Sequence, residues 1–173
     1  MPPYDMASWA LTTPSPHHAP TIAGWHPIDP AVVLEWWEPD DVQPWLLVDP
    51  EGHPVAYGEL WDDEEENEQE VARLIVDPNR RGNGVGAHLV ERLVALARAS
   101  ARSSCFLRVD PINDRALALY RRSGFREVDD VQAAAWNQGQ PVAYRWLEHC
   151  DPPPAERHDQ ATPSPRASGA SME

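Results

Sequence analysis

The chain of 173 residues contains no lysine, and all 14 of its basic residues are arginines. Acetylation of an internal lysine is therefore excluded. The 28 acidic residues bring the formal net charge to −14, which argues against non-specific nucleic-acid binding. There are only two cysteines, and Cys105 and Cys150 fall in a predicted buried strand and at the start of a C-terminal tail. This favours free thiols in a reducing cytoplasm, with a disulfide as the alternative.

Long apolar runs are also missing, which argues against a membrane span, and the N-terminus lacks the basic and apolar regions of a signal peptide. The expectation is a cytoplasmic protein that binds neither membrane nor nucleic acid. No group of cysteines and histidines has metal-ligand spacing, so no metal is expected.

Proline is concentrated at the two ends, where residues 1–20 and 151–173 hold ten of the 19 prolines. Both ends also lack a periodic apolar pattern, which predicts two disordered tails. Residues 21–150 are enough for one domain with a single core. Trp9 is the residue of the first tail that could dock on that domain.

The most informative segment is residues 76–89, where a β-branched strand runs through a glycine-rich turn into a helix. Arg81, Gly84 and Gly86 have the spacing Arg-x-x-Gly-x-Gly. Glycine permits positive φ and a close approach to a ligand, and a helix start offers unpaired N–H groups. Together these predict a pocket for pyrophosphate or a similar anion. The segment is neither a P-loop nor Gly-x-Gly-x-x-Gly, and the simpler alternative is a glycine-capped helix start.

A second motif follows the next predicted strand. Asn113, Ala116 and Tyr120 have the spacing Asn-x-x-Ala-x-x-x-Tyr, which places them on one face of a helix. Asn113 is suited to the N-cap, and Gly124 to the position after the helix. Without further information, Tyr120 is more often a core aromatic.

The two motifs, in this order and each at a strand-to-helix junction, resemble the GNAT superfamily of N-acyltransferases. The resemblance is specific over residues 70–127 and looser over 45–149. It implies that acetyl-CoA, or another acyl-CoA, is the co-substrate. It also implies that Asn113 contacts the pantetheine arm and that Tyr120 protonates the departing thiolate.

The family's central sheet has a splayed gap that holds the pantetheine arm, and here the gap maps between strands 70–77 and 104–109. The resemblance implies that the backbone N–H of Leu74 faces the thioester oxygen, that the backbone of Val76 pairs with the arm, and that the loop amides hold the pyrophosphate. The implied cofactor-binding residues are Leu74, Val76, Arg81, Gly82, Gly84, Val85, Gly86, Ala87 and Asn113.

The remaining pattern predicts a mixed, mostly antiparallel sheet with flanking helices. The predicted strands are 45–49, 54–61, 70–77, 104–109, 125–135 and 141–148, and the predicted helices are 85–100 and 114–123. The N-terminal region departs from the family, because only one short helix, from Ala31 to Trp37, is expected before the first hairpin. That shortened wall leaves the acceptor site open or completed by a second copy, as in a homodimer. Trp25, Trp36 and Trp37 either line an acceptor pocket or, as burial tendencies favour, fill the core.

Glu70 is the best candidate for a base that accepts the amine proton, because several family members carry a catalytic Glu at this distance from the loop. Period-two alternation would place Glu70, Ala72, Leu74 and Val76 on one face of their strand. Glu59 is the runner-up, and a surface acid at a strand end is the plain alternative for both.

Seven of the nine residues over 62–70 are acidic. The ordinary interpretation is a solvated turn that resists edge pairing; the sharper one is a surface that attracts a cationic acceptor. The sequence thus predicts a cytoplasmic acyltransferase that moves an acetyl group from acetyl-CoA to a primary amine of a cationic small molecule or peptide. The alternatives are a donor held on an acyl carrier protein and a non-catalytic acyl-CoA-binding module.

Overall fold

A seven-stranded sheet organises residues 5–150, the part of the chain that the computed structural model describes. The strands are β1 (Ala10–Thr12), β2 (Val42–Val48), β3 (Pro54–Asp63), β4 (Glu68–Val76), β5 (Ser104–Val109), β6 (Phe125–Glu127) and β7 (Arg145–His149). Their order is β1-β2-β3-β4-β5-β7-β6, and among these strands only β4 and β5 are parallel neighbours. The helices are α1 (Ala19–Trp25), α2 (Pro30–Glu35), α3 (Val85–Ala99), α4 (Asp114–Arg122) and α5 (Asp130–Trp136). The predicted fold class is confirmed.

The sheet carries a core on each face. On one face, α3 buries the apolar stripe that its period predicts, Leu89, Val90, Leu93, Val94 and Ala97. On the other face, α1 and α2 pack Ile22 and Val33 against Leu46 and Tyr57 of the sheet. Replacing a fully buried leucine such as Leu93 with alanine costs about 2–5 kcal/mol, so α3 is fixed firmly to the sheet.

The N-terminal segment is folded where the sequence predicts a tail. β1 pairs with β2, Trp9 is buried, and its carbonyl accepts a 2.7 Å hydrogen bond from Arg92. The disorder expected over residues 1–20 is therefore wrong for residues 5–20. The prediction of only one short helix before the first hairpin, from Ala31 to Trp37, is also wrong. A strand and two helices, β1, α1 and α2, precede the hairpin, and α2 spans Pro30–Glu35. Residues 1–4 and the predicted tail 151–173 lie outside the described residues.

The C-terminal strands are shorter than predicted. β6 ends at Glu127, and the remainder of the predicted strand 125–135 is mostly helix α5. Asp129 caps this helix by accepting a 2.8 Å hydrogen bond from the backbone N–H of Gln132, and the alanine-rich run behind it favours helix. β7 likewise begins at Arg145 rather than at 141.

A bulge in β4 sets the geometry of the sheet centre. Arg73 has a φ of +47°, and the register shifts between the pairs Glu59–Ala72 and Tyr57–Ile75. One extra residue therefore sits in β4, and the alternation of its side chains reverses there.

This reversal overturns the prediction that four residues of β4 share one face. Glu70 and Ala72 lie on the side of α1 and α2, whereas Leu74 and Val76 pack on the side of α3. Gly58, opposite the bulge, makes room for this packing. A Cβ there would lie 2.8 Å from side-chain atoms of Leu74 and Leu93, so any larger residue would displace them.

β4 and β5 separate soon after they meet. Their pairing covers only Glu68–Glu70 against Ser104–Phe106, and beyond it neither strand has a strand partner on this side within residues 5–150. The predicted gap between the two strands is confirmed. It leaves the backbone of β4 from Val71 to Val76 without a strand partner on that edge.

Candidate functional site

The glycine-rich loop between β4 and α3 has the backbone that the motif predicts. Gly82 and Gly84 have φ values of +78° and +82°, and Gly84 is the N-cap of α3. Residues with a side chain rarely adopt this conformation. The amide groups of the first turn of α3 consequently face the loop without helical partners, together with the positive end of the helix dipole.

An outer cleft of about 500 Å³ runs from this loop along β4 to α4. It is lined by every residue that the resemblance assigns to the cofactor: Leu74, Val76, Arg81, Gly82, Gly84, Val85, Gly86, Ala87 and Asn113. Gly86 sits close to both walls, since a Cβ there would lie 3.4 Å from Leu119 and 3.6 Å from Val76. The structure therefore brings the predicted cofactor residues together in one cleft.

Arg81 fixes the loop in place. Its Nε donates to the carbonyl of Val76 (3.2 Å), and its guanidinium donates to the carbonyl of Trp25 at the end of α1 (3.3 Å). The side chain thus ties the end of β4 to α1 while it lines the outer cleft.

Helix α4 starts and ends as predicted. The side chain of Asn113 caps it by accepting a 3.1 Å hydrogen bond from the N–H of Ala116, and Gly124, with a φ of +94°, follows it. Tyr120 lies in the last turn, half-buried, with its ring in an edge contact 6.2 Å from Phe125. Burial raises the pKa of Tyr120 to about 12. Its phenol therefore keeps its proton throughout the neutral range.

A second cavity, the inner pocket, adjoins the outer cleft at Leu74, which lines both. Its volume is about 280 Å³. Its lining residues are Trp61, Glu70, Val71, Ala72, Arg73, Leu74, Arg108, Tyr120 and Tyr144. The pocket thus unites the two predicted catalytic residues, Tyr120 and Glu70, although they belong to α4 and β4.

Glu70 is held by Arg108 from β5. Arg108 donates to both carboxylate oxygens, at 2.6 and 3.1 Å, and Glu70 is only 7% exposed. Burial raises the pKa of Glu70, and the guanidinium of Arg108 acts in the opposite direction. Arg108 itself packs over the rings of Trp61, Tyr144 and Trp146, at 5.5, 5.6 and 5.0 Å from their centroids.

Glu59, the other candidate base, is fully buried beneath the inner pocket. It accepts hydrogen bonds from Tyr57 (2.5 Å), Trp61 (2.5 Å) and Arg73 (2.9 Å). With no exposed surface and three donors on its two oxygens, Glu59 holds Arg73 in place and cannot reach an amine.

Sequence reasoning missed Arg73 and Arg108. Both lie within strands, outside any motif, and nothing in the linear sequence brings them together. The bulge places Arg73 at the inner pocket, and the alternation of β5 turns Arg108 away from the α3 core, which buries its neighbours Leu107 and Val109.

The three tryptophans near α1 and α2 belong mainly to the core. Trp25 is buried, and the indole N–H of Trp37 donates to the hydroxyl of Tyr57 (2.8 Å). Trp36 stacks on Tyr57 and lies 4.7 Å from the guanidinium of Arg73. None of the three lines the inner pocket.

The acidic run 62–70 covers the tip of the β3–β4 hairpin. Asp62 is paired with Arg102 at 2.8 and 2.7 Å, and hydrogen bonds from that guanidinium lower its pKa. Glu68 has no paired cation among the described residues. Burial is the main cause of its raised pKa, and the charges of Glu66 and Asp63 raise it further. Asp63, Glu66 and Glu68 line a cavity that also borders Glu70.

Comparison with known proteins identifies the class to which this cleft and pocket belong. The model of the acetyltransferase (GNAT) family matches residues 5–125. The chain therefore belongs to the GNAT family of acyltransferases.

Particular relatives carry acetyltransferase names. The chain is 36% identical over 76 residues to the IAA acetyltransferase of Azospirillum brasilense, covering 44% of this chain and 50% of that protein. It is 43% identical over 61 residues to the N-alpha-acetyltransferase RimI of Mycobacterium tuberculosis, covering 35% and 37%. The chain thus spans half or less of the length of these relatives.

Solved structures share the fold at low identity. A spermidine N-acetyltransferase chimera of Vibrio cholerae SpeG and hSSAT matches with a TM-score of 0.67 at 14% identity, over 83% of this chain and 95% of that one. A GNAT-family acetyltransferase of Staphylococcus aureus Mu50 matches with a TM-score of 0.64 at 14% identity, over 82% and 98%. Over residues 5–150, no helix has the length and apolarity that a membrane crossing requires.

Proposed function

We propose that the protein is an N-acetyltransferase that moves an acetyl group from acetyl-CoA to the primary amine of a small molecule or peptide. The observation that carries the proposal is the meeting of the outer cleft and the inner pocket at Leu74. A thioester placed there would have the glycine loop at one end, and Tyr120 and Glu70 at the other.

The outer cleft suits the donor. The loop amides and the start of α3 can bind a pyrophosphate, and the unpaired edge of β4 offers backbone groups to the amides of a pantetheine arm. The backbone N–H of Leu74 is the proposed donor to the thioester oxygen, which polarises the carbonyl for attack.

Tyr120 is the proposed general acid. The buried phenol, with its pKa of about 12, remains protonated and can donate to the sulfur as the C–S bond breaks. In the described part of the chain its hydroxyl makes no hydrogen bond, so the proton is not committed elsewhere.

Glu70 is the proposed base, directly or through water. An amine reaches the enzyme as an ammonium ion and must lose a proton before it attacks. Arg108 opposes the effect of burial on the pKa of Glu70, and Glu70 lines both the inner pocket and the acidic cavity at the β3–β4 hairpin. Those acids, Asp63, Glu66 and Glu68, favour the approach of a cation.

A donor carried by an acyl carrier protein would use the pantetheine edge of β4 but not the pyrophosphate loop. The intact loop supports free acetyl-CoA. Both cysteines are free thiols, which supports a reducing cytoplasm as the location.

The test is calorimetry with acetyl-CoA, followed by a thiol-release assay across a panel of primary amines. Micromolar binding together with thiol release that depends on the amine is expected. Binding to a loaded carrier protein but not to any free CoA ester would mean that the donor is held on an acyl carrier protein instead of CoA. Binding of acetyl-CoA without turnover of any amine would indicate that the protein is a non-catalytic acyl-CoA-binding module.

A further inference from the structure

Two guanidinium groups line the inner pocket, and both are held rigidly. Arg73 is paired with the buried Glu59 and lies between the rings of Trp36 (4.7 Å) and Trp61 (5.0 Å). Arg108 is paired with Glu70 and lies 5.5 Å from the centroid of the Trp61 ring. Both guanidinium groups lie within 5.5 Å of the centroid of the Trp61 ring, and both side chains line the same pocket of about 280 Å³.

Both groups keep unused hydrogen-bond donors. A guanidinium has five N–H donors. Among the described residues, Arg73 uses one of them, toward Glu59, and Arg108 uses three, toward Glu70 and Gln140. The side chains are 33% and 24% exposed, so the remaining donors can be reached from the pocket.

The charges that face the pocket favour an anionic group at this surface. Arg73, Arg108 and Glu70 line the pocket, while the carboxylate of Glu59 has no exposed surface. An ammonium group placed beside the two guanidinium groups would meet N–H donors, with which it cannot form hydrogen bonds. A carboxylate would instead accept charge-assisted hydrogen bonds from planar donors that are already ordered, which keeps the entropy cost of binding low.

The size of the pocket limits the acceptor. At about 280 Å³ it lies just below the usual range of about 300–1,000 Å³ for small-molecule sites. It suits a compound of amino-acid size better than a long chain.

We propose, on the basis of the acetyltransfer reaction above, that the acceptor is a single amino acid or a similar zwitterion whose carboxylate binds Arg73 and Arg108. The carboxylate then fixes the amine between Glu70 and the end of the outer cleft. Arg73 and Arg108 are specificity-determining residues in this arrangement, and Glu70 and Tyr120 act on the protons.

The experiment compares neutral amino acids with the amines obtained by removing their carboxylate, for example phenylalanine with phenethylamine. Each compound is titrated by calorimetry into the CoA-bound protein and is assayed with acetyl-CoA. The carboxylate is expected to improve affinity and kcat/KM by about tenfold or more, the size typical of charge-assisted pairs. Putrescine and spermidine are included as acceptors with several positive charges and no carboxylate.

Two variants locate the effect. Arg73→Lys keeps the charge opposite Glu59 but loses the planar fork, and Arg73→Gln combined with Glu59→Gln removes the pair without leaving a buried carboxylate alone. Both should reduce the preference for the carboxylate about tenfold, because the loss of affinity should be larger for phenylalanine than for phenethylamine. Arg102→Gln is the matched control, because Arg102 is also paired with an acid but lies outside the inner pocket.

If phenethylamine or putrescine binds and reacts as well as phenylalanine or better, the proposal of a zwitterionic acceptor is wrong, whereas the proposed acetyltransferase activity is supported. Equal losses for both members of each pair in the Arg73 variants would lead to the same conclusion. Absence of turnover with every amine would count against the acetyltransferase, and the calorimetric preference would still decide whether a carboxylate binds at Arg73.

Discussion

The donor side and the acceptor side of this molecule differ in how they are encoded. The outer cleft is built mainly from two stretches of sequence: residues 74–87, which run from the end of β4 through the glycine loop to the start of α3, and residues 113–122, which are α4 with its cap. The inner pocket combines residues 70–74 of β4 with single residues from β3, β5, α4 and the segment before β7. A ligand common to a family can be bound by a local backbone motif, whereas the acceptor is selected by side chains that only the tertiary fold assembles.

The largest effect is expected on the donor side. Gly84→Asp forces a side chain into a backbone with a φ of +82° and adds a negative charge where the pyrophosphate is proposed to bind. Affinity for acetyl-CoA in calorimetry should fall by more than about 100-fold. Gly139→Asp is the control, because Gly139 has a φ of +77° but lies away from the cleft. Equal losses in the two variants would mean that general instability, rather than the loop, explains the result.

Tyr120→Phe tests the junction between the two sides. The change keeps the ring against Phe125 and removes only the hydroxyl, so kcat should fall about 100-fold with little change in the Kd of acetyl-CoA. Tyr144→Phe removes a second hydroxyl from the same pocket and should change kcat much less. If the chemical step limits the rate and kcat is unchanged in Tyr120→Phe, Tyr120 is not the general acid and has only a packing role.

Local motifs explain which parts of this arrangement can be predicted. The loop, the caps at Asn113 and Gly124 and the apolar stripe of α3 depend on neighbours within a few residues, and all were predicted correctly. The bulge at Arg73 depends on the register between β3 and β4, and it reversed the predicted face of Leu74. β1 was missed because a three-residue strand in a proline-rich segment gives no periodic signal, and its stability comes from pairing with β2.

Glu70→Gln should affect the acceptor side alone. Burial raises the pKa of Glu70, and a base is active only when ionised, so activity should fall as the pH drops through that raised pKa. The variant should lower kcat/KM about 10- to 100-fold near neutral pH and remove this acidic limb. Glu59→Gln is the comparison, and its main effect should be a lower melting temperature because Arg73 loses its buried partner. A larger loss of kcat/KM in Glu59→Gln would contradict the assignment.

The smallest effect is expected at the tip of the β3–β4 hairpin. Asp63, Glu64, Glu65 and Glu66 are exposed, whereas the acids nearest the inner pocket, Glu59 and Glu70, are paired with arginines. Replacing the four exposed acids with Asn and Gln should raise the KM for a zwitterionic amine less than about threefold and leave kcat unchanged, because exposed charges act mainly on encounter. This difference in KM should vanish in high salt, because the screening length is already only about 8 Å at physiological ionic strength and falls further as salt is added. A larger rise in KM, steep in salt and confined to diamines, would instead show that the acidic hairpin selects a polycation. The acceptor side would then depend on a continuous local segment of sequence, as the donor side does.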